Sequence, residues 1–213
     1  MTNPVVRVIA VVLFLASRAR AADDSSPRVE GQTIISESRP GIRVRVADGL
    51  RYLGEHPIRI RDVAAGKRIV FAETAGNDIR RMAIAQFEGF LPGVDDIYRY
   101  KFDGMPTMGG LPFRENGFAS STRAEMKENP GSEVEATMRF LSEKGLRAPD
   151  AWAIYRFVTI GDATRKNEMI LFSMEPLAGL GTTYPEVSDR LPARMLDGLA
   201  ARARRVFRIE PLP

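Results

Sequence analysis

The chain reads as an α+β domain, a mostly antiparallel sheet built from hairpins in ββα-type units, with about three helices packed on one face. Three observations predict this. Short stretches such as Ile42-Arg43-Val44-Arg45-Val46 alternate apolar and charged residues with the period of two that a half-buried strand requires. These stretches come in pairs, and single segments of helical spacing separate the pairs. The order across residues 68–160 is βαββαβ, which fits a split βαβ unit and equally a longer curved sheet gripping its helices.

The first segment is an address rather than an element. Arg7 precedes an uninterrupted apolar run over residues 8–16, and Ala19-Arg20-Ala21 follows with small-x-small spacing. Charge, short apolar core and small-residue site in that order predict a secretory signal peptide over residues 1–21, too short in its core to span a bilayer. The expected destination is the periplasm or the exterior. Residues 22–31 are polar and aperiodic at their start and are predicted to be a disordered lead-in, with one domain over residues 32–213.

Within that domain, residues 32–36, 42–46, 57–61 and 68–73 are predicted strands. Ile79, Met82, Ala83, Phe87 and Phe90 recur at steps of three and four, predicting a helix that Thr74 or Asn77 caps and that Gly89 and Pro92 end. Residues 96–102 place Tyr98, Tyr100 and Phe102 on one side of a predicted strand, and another strand follows near residues 113–120. Ser132 and Glu135 form an S-x-x-E capping box ahead of Val134, Met138 and Leu141, and Gly145 marks the helix stop. Residues 152–160 and 168–174 predict a hairpin. A last helix is expected within residues 186–205, opened or kinked by Pro192, and a short closing strand over residues 207–210.

Composition narrows the chemistry. The chain holds 31 Lys plus Arg against 27 Asp plus Glu, but Arg7, Arg18 and Arg20 lie in the leader. The remainder carries 28 against 27, a net of +1, which removes the support for nucleic-acid binding through overall charge. Cysteine is absent, so disulfides, thiol catalysis, iron–sulfur clusters and a cysteine-linked lipid are excluded. With His56 the one histidine, no two-histidine metal motif is available. No Walker motif, G-x-G-x-x-G or G-x-S-x-G occurs. The reading requires no cofactor and no metal, and no transmembrane anchor follows the leader.

Four arginines, Arg43 with Arg45 and Arg59 with Arg61, crowd one surface if their strands are neighbours. Such a face is either an anion site or a solvated edge neutralised by Glu30, Glu37, Asp48 or Asp62. Tyr98, Tyr100 and Tyr155 line a predicted pocket between sheet and helices, their hydroxyls orienting a ligand. Arg114 and Arg156 supply anion contacts, and Glu115 lies in the densest polar cluster, Arg114-Glu115-Asn116. Glu88 with Asp95 and Asp96 forms a further acidic group. The expected role is non-catalytic binding of a small or anionic ligand or an envelope partner. The alternative is a cofactor-free hydrolase or lyase using Glu115, Tyr98 or His56 with Arg114.

Overall fold

Alternating side chains and tight turns fold a large part of this chain into antiparallel ladders. The computed structural model describes residues 26–184 and 190–212. The predicted leader lies outside the described residues, as do residues 22–25 of the lead-in.

In chain order the strands are β1 (Arg28–Glu30), β2 (Thr33–Ser36), β3 (Ile42–Val46), β4 (Arg51–Ile60), β5 (Ala64–Ala75), β6 (Asp78–Phe90), β7 (Thr107–Met108), β8 (Leu111–Pro112), β9 (Arg114–Ser121), β10 (Ala151–Ile160), β11 (Asn167–Pro176) and β12 (Phe207–Pro211). The described α-helices are α1 (Thr122–Glu128), α2 (Glu133–Glu143) and α3 (Ala193–Val206). An open six-stranded antiparallel sheet runs β4-β5-β6-β11-β10-β9, a four-stranded sheet runs β1-β2-β3-β12, and β7 pairs with β8.

The fold is therefore α+β with antiparallel sheets, and three of its details differ from expectation. Residues 78–90 form a strand, not a helix. β6 is central in the sheet, between β5 and β11, and layers pack on both of its faces, so every residue from Met82 to Glu88 is buried. A strand buried on both sides loses its alternation, and its apolar run then matches helical spacing by accident. Order also begins earlier than predicted. Arg28, Val29 and Glu30 pair with Ile35, Ile34 and Thr33 across a turn in which Gly31 takes φ +60°. The third difference concerns the helices, which cover both faces of the main sheet.

On one face Phe71, Ala83, Phe157 and Leu171 pack against Val44 and Val46 of the small sheet and against Leu199 and Ala203 of α3. On the other, Val70, Ile84, Trp152 and Ile154 pack against Leu141 and Met138 of α2. Consecutive residues such as Val70 and Phe71 point into different layers because strand side chains alternate. Helix α2 sits where its sequence places it. Ser132 Oγ accepts from the Glu135 backbone N–H at the N-terminus. At the other end Gly145 (φ +69°) and Leu146 donate to the Ser142 and Leu141 carbonyls, a Schellman closure.

The four arginines do not form one surface. β3 lies in the small sheet and β4 at the edge of the large one. Arg45 pairs with Asp48 at 3.0 Å and Arg59 with Asp62 at 3.3 Å, as solvated edges do.

Candidate functional site

The α2-covered face of the main sheet changes character along its strands. Met82, Ile84, Ile154, Trp152 and Met174 make one end apolar. Farther along these strands and their neighbours β5 and β9, and on the same face, stand Arg68, Gln86, Glu88, Glu168, Arg156 and Arg114. Arg68, Gln86, Glu88 and Glu168 are each less than a tenth exposed. Charged groups buried to that degree demand partners.

The partners form a connected network. Arg68 Nε donates to Gln86 Oε1 at 2.6 Å, and its Nη1 donates to Thr137 Oγ1 and the Glu133 carbonyl, both at 2.9 Å. Its Nη2 lies 3.6 Å from the Glu133 carboxylate. Burial lowers the Arg68 pKa to about 10, which still leaves it charged at neutral pH. Gln86 Nε2 donates to Glu88, and the Tyr98 hydroxyl donates to Glu88 Oε1 at 3.0 Å. Glu88 and Glu168 are direct cross-strand partners in the β6–β11 ladder. Burial first, and the neighbouring Glu88 second, push the Glu168 carboxyl up to about 8. Burial and the same two acids also raise Tyr98, and carry Tyr100 up to about 12, so both hydroxyls keep their protons.

Tyr98 and Tyr100 belong to no strand. Residues 94–102 form no ladder, a departure from the predicted strand. Arg165 supplies the missing hydrogen bonds: its Nε and Nη2 donate to the Tyr98 and Tyr100 carbonyls at 2.9 and 2.7 Å. The predicted alternation survives, with Tyr98 and Tyr100 rings stacked 6.2 Å apart and Phe90 stacked on Tyr98 at 4.6 Å. The segment lies as a strap over the two glutamates. Arg114 rests on the Tyr100 ring, 5.4 Å from its centroid.

Beyond Arg68 and Arg156, between the apolar end of this face and helices α1 and α2, is a cavity of about 230 Å³. Met82, Ile84, Trp152 and Ile154 form its floor, Val134 and Met138 its roof. Glu125 and Glu133 stand on the helical side.

The six predicted site residues fall into two places. Tyr98, Tyr100, Arg114 and Arg156 share the cavity's face of the sheet. Glu115 and Tyr155 project from the opposite face, where the Tyr155 hydroxyl donates to Glu115 Oε2 at 2.8 Å and Arg204 of α3 reaches the same oxygen at 2.5 Å. A sheet–helix cavity exists, but Arg156 is the only one of the six that lines it. The tyrosines do not, because their hydroxyls are spent on buried carboxylates. The residues of the enzyme alternative do not converge either. Tyr98 is on Glu88, Glu115 is on the other face, Arg114 covers Tyr100, and His56 packs on Phe140 at 5.0 Å with burial lowering its pKa.

Arg68, Gln86 and Glu168 had not been singled out. Each is a polar residue inside an apolar strand, and a strand reading of residues 78–90 puts Gln86 and Glu88 on one face. Among the described residues no group of three or more His, Cys, Asp or Glu is placed to hold a metal ion, and no helix is long and apolar enough to cross a membrane. No protein-family model, no curated protein and no solved structure matches this chain.

Proposed function

We propose that the protein is an exported, non-catalytic binding protein that takes up a small, largely apolar ligand between its main sheet and helices α1 and α2. The observation carrying this reading is the cavity itself. It is larger than the roughly 150 Å³ apolar void that accepts benzene, and its floor and roof are apolar side chains. Its arginines, Arg68 and Arg156, stand together at one end, where a few polar contacts can fix the orientation of a ligand whose body lies on the apolar floor. The Glu88–Glu168–Tyr98 cluster is covered by the strap and contributes neither glutamate to the cavity wall. Its role in this reading is to hold the strap.

The test uses N-phenylnaphthylamine, an uncharged dye that brightens in apolar surroundings. The protein is expected to bind it saturably. Val134→Phe puts a ring into the cavity from the half-buried face of α2 and is expected to weaken dye binding about tenfold or more while the unfolding midpoint stays close to that of the parent. Dye binding that ignores Val134→Phe in a folded protein defeats the reading.

A further inference from the structure

The cavity's two arginines are not equivalent. Arg68 spends Nε on Gln86, Nη1 on Thr137 and the Glu133 carbonyl, and Nη2 on the Glu133 carboxylate. Arg156 gives only its Nε, to Asn116 Oδ1 at 3.0 Å, and its guanidinium carbon lies over the Phe118 ring, 5.7 Å from the centroid. Neither Nη of Arg156 has a hydrogen-bond or ion-pair partner among the described residues. Glu168, an acid on the neighbouring strand, stays beyond ion-pair distance. A guanidinium fork presents paired N–H groups matched to a carboxylate.

The opposite end is marked by Trp152, four residues earlier on the same strand and on the same face. At about 3.3 Å per residue the two side chains stand roughly 13 Å apart, with Ile154 between them. The cavity volume exceeds the benzene case by about half, room for a chain of about eight to ten carbons. Glu133, whose carboxylate lies 3.6 Å from Arg68, already supplies negative charge at the arginine end and opposes a second negative charge on the head.

Resting on the binding reading above, we infer that the ligand is a medium-chain monocarboxylate, its carboxylate on the free fork of Arg156 and its apolar tail running past Ile154 to Trp152. The single charge and the length are what distinguish it from a phosphate monoester or a long-chain lipid.

Trp152 is the only tryptophan in the chain, so its emission reports on the far end of the cavity. Octanoate, octanol and octyl phosphate are titrated at neutral pH, read by Trp152 emission and by displacement of N-phenylnaphthylamine. Octanoate is expected to bind about tenfold or more tighter than octanol, and tighter than octyl phosphate. Arg156→Gln is expected to bring octanoate down to the octanol level and leave octanol unchanged, which also shows that the variant is folded. Equal affinity for octanoate and octanol, tighter binding of octyl phosphate, or an octanoate preference that survives Arg156→Gln overturns the inference while dye binding keeps the cavity reading. If neither the dye nor any eight-carbon compound binds, both fall together.

Discussion

Two carboxyl groups held side by side in an apolar sheet cannot both be charged without a large electrostatic cost, and Glu88 and Glu168 are so held. Keeping a proton on Glu168 removes one charge, and Tyr98 and Gln86 then hydrogen-bond Glu88. This has a consequence for stability with a definite sign. The Glu168 pKa rises from 4.5 to about 8 on folding. Below about pH 4.5 the group is protonated in both states. Between there and about pH 8 the unfolded chain releases the proton and the folded chain keeps it, so stability falls as pH rises and levels off above. Urea midpoints measured from pH 5 to pH 8 are expected to decline, and Glu168→Gln, which is neutral throughout, to flatten most of that slope. A slope unchanged by Glu168→Gln would mean the proton sits elsewhere. Of the residues in this network, Tyr98 and Tyr100 were visible in the sequence because aromatic alternation is conspicuous. Arg68, Gln86 and Glu168 were not, since a lone polar residue in an apolar run acquires meaning only when its neighbours across the ladder are known.

At the scale of the element, legibility follows how local the determining forces are. Helix α2 was readable end to end: its capping serine, its buried Leu141 and its glycine stop act within a few residues of one another. Ser132→Ala is expected to cost about 1 kcal/mol through the lost cap. Leu141→Ala, at a position 1% exposed in the α2–sheet interface, is expected to cost about 2–5 kcal/mol through the void it leaves. Denaturant titrations that rank the two in the opposite order would show that α2 contributes little to the core. The half-exposed strand β3 was equally readable, since each charged side chain meets water and each apolar one the core. Strand β6 was not. Its character is imposed by burial in the middle of the sheet, which requires β11, some eighty residues away, as well as its hairpin neighbour β5. The strap is the converse case, in which sequence alternation is that of a strand but no strand pairs with it, and Arg165, through its own carbonyl and its guanidinium, takes the ladder's place.

For the molecule as a whole, the absence of cysteine means that the fold stands without disulfides, on packing and hydrogen bonding, with the small sheet and α3 on one face of the main sheet and α1 and α2 on the other. Export belongs to this scale too, because it decides which ligands the cavity meets. If residues 1–21 are removed in transit, N-terminal sequencing of protein recovered from outside the cytosol is expected to begin at Ala22, and the mature chain to focus near neutral pH rather than strongly basic. Recovery of the protein in the cytosol with Met1 intact would end the export proposal.

The sequence by itself determined the fold class, most strand positions, both ends of α2 and the exclusion of thiol, disulfide and two-histidine chemistry, because these follow from composition and from spacings of a few residues. Only the tertiary structure decided that residues 78–90 are a strand, that the helices divide between two faces, that the predicted site residues part into two groups, and that Arg156 rather than the tyrosines faces the cavity. Those outcomes depend on which face of a twisted sheet each side chain occupies and on what lies opposite. Pairing between distant segments sets both, and no local pattern records it.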